Sequence, residues 1–195
     1  MKDFVYKKKI IELWATTGEV IDSGEKYTES YVSSGHNSVS TKVYTNHEFW
    51  IRKDDGRDED IQLSSEKSLP AILKGHRVTL VYAGIKGQDY GYDTLLINHK
   101  TQKISFLRKA NDLNEVLKFY IPKGRSLFIS IIAWIFFIFL LGSIQAASML
   151  AGITFIGLFA YRVSAVNEKL DKLNEHLKTI GQEIIDKELS SENTE

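Results

Sequence analysis

The side chains best suited to recognition in this sequence are Tyr90 and Tyr92. They stand two apart in the run Ala83-Gly84-Ile85-Lys86-Gly87-Gln88-Asp89-Tyr90-Gly91-Tyr92-Asp93. Its glycines favour a wide turn, and an aromatic-rich loop on a rigid scaffold is a recognition surface. The same glycines do not make a phosphate cradle, because no helix is expected to follow them. Trp14, Phe49 and Trp50 are further candidates for such a face. Residues 49 and 50 are neighbours in an expected strand and must point opposite ways, so one of them belongs to a core.

Other chemistry is poorly represented. The acidic run Asp54, Asp55, Asp58, Glu59 and Asp60 carries hard oxygen ligands for a divalent ion, but its spacing does not match a calcium loop. A solvated hairpin tip accounts for it. The histidines, His36, His47, His76, His99 and His176, lack the short helical spacing of a zinc site. No nucleophile-elbow motif surrounds any serine. The chain has no cysteine, which excludes disulfides, thiolate metal sites and cysteine nucleophiles. Basic and acidic residues number 25 each, so net charge gives no affinity for nucleic acid. These observations predict neither an enzyme nor a bound cofactor or metal.

The elements that hold these residues alternate in the manner of strands from about residue 10 to 108. Strands are expected at 17–21, 25–33, 38–44, 47–52, 59–63, 77–82, 94–98 and 103–107. Asp55-Gly56 provides the tight turn of the clearest hairpin, between Trp50 and Ile61. Short strands at this density predict a small OB-like or SH3-like barrel, with an open sandwich as the alternative. A short helix is expected over 111–120, capped by Asn111 or Asp112, with Leu113, Val116, Leu117 and Tyr120 on one face. Pro122 and Gly124 interrupt after it.

Between Arg125 and Arg162 no charged residue occurs. A single helix over this stretch would be about 54 Å long, far more than the roughly 30 Å of a hydrocarbon core. Two spans of about 18 residues fit better, turning at Gly142-Ser143-Ile144-Gln145. The first is rich in Ile, Phe and Leu, and inserts strongly. The second is marginal alone. Its small residues Ala147 and Ala151, and Ser148 and Gly152, share faces at a spacing that lets helices approach closely. The alternative, a buried hairpin of a soluble protein, would need at least one charged face.

Basic residues flank both ends: Arg108, Lys109, Lys118, Lys123 and Arg125 before, Arg162, Lys169 and Lys172 after. The turn between has none. Both termini are therefore expected in the cytoplasm, with a bacterial inner membrane as the simplest home. Lys7, Lys8 and Lys9 precede no apolar core of signal-peptide length, so no cleavable signal is expected.

Beyond Arg162 the apolar residues Val163, Val166, Leu170, Leu173, Leu177, Ile180 and Ile184 alternate spacings of three and four. This is a coiled-coil seam. The competing expectations are packing of one amphipathic helix on its own β-domain, or rest on the bilayer surface.

The organisation expected is a β-rich domain at 1–109, a helical connector at 110–125, a two-span transmembrane hairpin at 126–163, an amphipathic or coiled-coil helix at 164–189 and a polar tail at 190–195. The function expected is a membrane-anchored cytoplasmic binding or scaffold module. Its partners are the lipid bilayer and either further copies or another membrane protein. An oligomeric pore or transport accessory is the alternative.

Overall fold

The computed structural model describes residues 1–6, 9–35, 38–65, 69–88, 90–118, 129, 131–136, 138 and 144–192. They form two compact units. Met1–Leu117 joins Leu173–Glu195 in one, and Lys118–Lys172 makes the other.

The first unit is an antiparallel sheet curled into a half-barrel. Its strands are β1 (Phe4–Tyr6), β2 (Lys9–Asp22), β3 (Lys26–Gly35), β4 (Ser38–Lys53), β5 (Asp58–Ser65), β6 (Arg77–Ile85), β7 (Tyr92–Asn98) and β8 (Lys103–Phe106). The order β3-β4-β2-β6-β7-β8 runs through the sheet, with β1 on β2 and β5 on β4. Two long strands produce the curl by changing partners. Along one edge β2 pairs β6, and along the other it pairs first β1 and then β4. β4 likewise leaves β3 for β2 while β5 holds its far edge.

Gly24 makes the corner between β2 and β3. Its φ is +52°, and a Cβ there would lie 1.8 Å from the Glu48 carbonyl oxygen. Only glycine fits both demands. Asp22 Oδ1 accepts the Gly24 N–H at 3.1 Å and fixes the turn. The hairpin expected at Asp55-Gly56 forms as predicted between β4 and β5. β1 was not legible in the sequence, and β2 is far longer than the expected strand at 17–21.

The concave side holds the core: Val20, Phe49, Ile51, Ile61, Leu63, Leu69, Ile72, Val78, Leu80, Leu96 and Leu107, with Tyr82 packed against it. β6 is buried on both of its faces, since Val81 and Ala83 are covered as fully as Val78 and Leu80. A strand covered on both faces reads as a continuous apolar run, as Val78 to Ala83 does apart from Thr79.

The helical cover comes from two distant parts of the chain. α1 (Ala110–Leu117) is capped at its start, where Asp112 Oδ2 accepts the Lys109 N–H at 2.9 Å. Asn174 Oδ1 takes the Ala110 N–H at 2.8 Å, so a residue far along the chain satisfies one of the orphan donors of α1. The expected helix at 111–120 therefore ends earlier, at Leu117, and residues 119–128 lie outside the described ones.

Asn174 belongs to α2 (Ile144–Glu192), one helix of 49 residues that unites the predicted second span and the predicted C-terminal helix. From Leu173 onward it is part of the β-domain. Leu173, Leu177 and Ile180 are buried there, with Ile185. His176 Nε2 donates to the Lys2 carbonyl at 2.8 Å, and its ring meets Phe4. Gly181 lies against Ile104 so closely that a Cβ would be 3.0 Å from its Cδ1. This part of the expected seam is filled within a single chain. The buried set passes from Ile180 to Ile185 and leaves Ile184 half-exposed, the drift of a straight helix on a sheet. Leu170 is buried, Val166 half-buried and Val163 exposed.

Arg77 fastens the end of α2. Its guanidinium pairs with Glu188, and its two terminal nitrogens hold Asp54 at 2.7 and 2.9 Å. Hydrogen bonding to Arg77 lowers the Asp54 pKa from its ordinary 3.8. A depressed carboxylate contributes stability that is present above its unfolded pKa and lost as pH falls through the folded one. Thermal midpoints of the wild type and Asp54→Asn should therefore differ at neutral pH and converge below pH 3.8. Asp54 is well exposed, so the difference should be a few degrees at most. Parallel curves across the whole range would show that the pair contributes nothing.

In the second unit, residues 131–136 are helical and Trp134 Nε1 donates to Ser148 Oγ of α2 at 3.1 Å. Among the described residues α2 is the one helix long and apolar enough to cross a membrane. The qualifying stretch begins at Ser148, and its apolar window, of mean hydropathy 1.7, is almost wholly exposed.

Candidate functional site

Tyr90 and Tyr92 meet at the edge of the half-barrel, their rings 6.1 Å apart and perpendicular. Tyr90 is 55% exposed. Tyr92 stands opposite Ala83 of β6, and a second group gathers on the other face of the same strands. Trp14 of β2 stands opposite Tyr82 of β6, and Tyr82 stands opposite Asp93 of β7. Direct cross-strand partners share a face, so the three form a row on the concave side. The Trp14 and Tyr82 rings stack at 5.9 Å with 17° between their planes.

Gly84 and Gly91 make room for the indole. A Cβ on Gly91 would stand 2.1 Å from Trp14 Cη2, and one on Gly84 2.9 Å from the same atom. The glycines of the predicted turn thus accommodate an aromatic plane as well as a bend.

Arg108 closes the row. It pairs with Asp93 Oδ1, donates to the Asp93 carbonyl at 2.8 Å and sits 5.6 Å from the centre of the Tyr92 ring. Expected as a basic flank of the membrane segment, Arg108 is instead engaged by the β-domain. A bulge between Val81 and Tyr82 sets Asp93 in place. Burial pushes the Asp93 carboxyl above its ordinary value although Arg108 pulls it down. Burial, with the nearby Glu59 and Asp93 carboxylates, pushes Tyr82 up to about 12. The phenol is therefore neutral at physiological pH and available as a hydrogen-bond donor. Two aromatic pairs thus lie on opposite faces of the strand end, a Trp14–Tyr82 shelf and the exposed Tyr90–Tyr92 pair, with the Asp93–Arg108 ion pair linking them, and the exposed pair is suited to holding a planar group.

The remaining candidates separate. Phe49 is buried in the core and Trp50, on the other side of β4, is exposed. Neither joins the shelf. In the acidic run Asp55 pairs with Arg57, Asp58 with Arg52, Glu59 with Lys53, and Asp54 with Arg77. Hydrogen bonding to Arg57 lowers Asp55 to about 2. The run is paired off as a hairpin tip, and among the described residues no group of three side chains could hold a metal ion. His47 bonds the Ser23 carbonyl, His76 accepts from Asn98, and His99 bonds Thr79, all in structural roles. His36 lies outside the described residues.

Of the small residues expected to pack helices, Ser148 takes the Trp134 bond and Ala151 is buried. A Cβ added at Gly152 would meet no described atom outside its own helix backbone within 4 Å. The side chain of Ala147 lies outside those described.

The fold and the shelf define a class: a curled antiparallel half-barrel whose convex face is covered by the chain's own terminal helix. Comparison with protein-family models, curated proteins and solved structures finds no match for this chain.

Proposed function

We propose that this chain is a membrane-anchored binding or scaffold module, its β-domain presented on the cytoplasmic side by a transmembrane hairpin over 126–163. The observation that carries this reading is the apolar exterior of α2. Met149, Ile153, Ile156, Phe159 and Tyr161 are each more than half exposed, in a stretch with no charged residue from 126 to 161. A face of this kind is costly in water and favourable in lipid. The bond from Trp134 to Ser148 supports a hairpin, because it joins two apolar helical segments. Interior polar contacts of this type hold transmembrane helices together. The basic flanks support cytoplasmic termini, and a bacterial inner membrane fits them. Assembly with further copies or another membrane protein belongs to the same reading. The exposed Tyr90–Tyr92 pair, with Arg108 against the Tyr92 ring, is the binding feature.

The test is membrane fractionation of the full chain followed by labelling of sealed vesicles. The chain should stay with the bilayer through an alkaline carbonate wash, and Lys109 and Lys169 should be labelled from the same side. Recovery as a soluble monomer without detergent would overturn the anchoring. Labelling from opposite sides would overturn the hairpin. Conductance in reconstituted liposomes would favour a pore.

A further inference from the structure

The outer face of the β3–β4–β5 sheet is not used by the shelf or the core. Its composition follows from the register. Tyr27, Glu29 and Tyr31 of β3 stand opposite Asn46, Tyr44 and Lys42 of β4. On the far side of β4, Glu48, Trp50 and Arg52 stand opposite Gln62, Asp60 and Asp58 of β5. Trp50 and Arg52 also face Asp22 and Glu19 of β2. One continuous face therefore carries, among its described side chains, four aromatic residues, six carboxylates and Arg52. Arg52 is already held by Asp58 at 2.8 and 3.0 Å.

The aromatics are presented rather than buried. Tyr27, Tyr31 and Trp50 are 40%, 57% and 45% exposed. Each stands beside a carboxylate. Tyr31 donates to Glu29 at 2.7 Å, Tyr27 to Glu48 at 3.3 Å, and Trp50 has Asp60 and Asp22 as direct cross-strand partners. Hydrogen bonding to Glu29 and its charge raise the Tyr31 pKa, while desolvation, followed by Glu48, raises that of Tyr27.

We propose that this face docks a lysine- or arginine-rich segment of a partner protein. An aromatic ring attracts a cation over its plane, and a neighbouring carboxylate takes the same cation's N–H groups. Alternating the two across a pleated face matches an extended basic peptide, whose side chains also alternate. Nucleic acid is disfavoured, because six carboxylates repel phosphate.

This inference rests on reading the β-domain as a binding module, and it is independent of the membrane tether. The test uses the full chain in non-ionic detergent and a fluorescein-labelled peptide of alternating arginine and serine, followed by anisotropy. A peptide of alternating glutamate and serine is the control. Only the basic peptide should bind. Trp50→Ala and Tyr31→Ala should each weaken it about three- to tenfold at fixed salt, and Glu29→Gln and Asp60→Asn by a similar factor. All four positions are exposed, and unchanged far-ultraviolet circular dichroism verifies folding. The proposal is overturned if the wild type does not bind, or if the aromatic variants bind as well as the wild type. It is also overturned if Trp50→Ala abolishes a dimer instead, since a second copy would then be the occupant. Failed peptide binding in a chain that still resists carbonate extraction removes the face and leaves the anchor.

Discussion

Truncating Leu173 and Leu177 together to alanine is expected to lower the stability of the β-domain by about 4–8 kcal/mol. Both side chains are fully buried, and nothing in α2 alone could bury them. Each leucine truncation leaves a cavity and loses its transfer energy, about 2–5 kcal/mol apiece. The two are one turn apart and share neighbours, so the sum need not be strictly additive. A loss of this size approaches the whole stability of an ordinary domain. The measurement is a denaturant titration of the full chain in detergent, followed by tryptophan fluorescence. Val163→Ala, at an exposed position of the same helix, should stay within about 0.5 kcal/mol of wild type. An unchanged midpoint for the double variant would mean the helix does not complete the core. A midpoint that rises with protein concentration would show that these leucines pair between chains.

Gly24→Val is expected to be the most damaging single exchange in the sheet. The left-handed backbone costs a non-glycine residue roughly 1–2 kcal/mol. The Cβ would also collide with the Glu48 carbonyl, which is backbone and cannot swing aside. β2 and β3 would have to move away from β4 along their shared edge, loosening the bond from Glu48 N–H to the Glu25 carbonyl at 3.1 Å. A total of about 3–5 kcal/mol is expected, together with faster amide exchange along β3. Gly152→Val is the comparison, since a Cβ there meets no described atom outside its own helix backbone within 4 Å. Equal effects at the two positions would refute the corner argument.

Much of the sheet is legible in the sequence because its alternation is local. Phe49, Ile51, Ile61 and Leu63 all point inward at period two, and Asp-Gly marks the turn between them. β1 is not legible: its few residues have meaning only against the start of β2. The small barrel expected from the density of strands is met in part by the half-barrel, but where β2 and β4 exchange partners, which sets the curl, is not legible. The site divides in the same way. Tyr90 and Tyr92 are adjacent in the chain and stand out. Trp14, Tyr82 and Asp93 come together only through pairing between distant strands, one bulge fixes their alignment, and Arg108 links them to Tyr92. The terminal helix shows an ambiguity of periodicity. Seven apolar residues at three-and-four spacing serve a partner helix or a sheet equally well, and only the shift from Ile184 to Ile185 tells them apart.

The β-domain is assembled from Met1–Leu117 and Leu173–Glu195, with the apolar segment between them. This fixes an order of events during synthesis. The ribosome delivers the strands first, then the uncharged stretch, and after it the helical segment that packs with them. Before Leu173, Leu177 and Ile180 are made, the β-domain lacks the buried side chains that α2 contributes to it. Folding of the β-domain is thereby tied to synthesis of residues 173–192, and quality-control proteases would meet any product that ends before them with its packing incomplete.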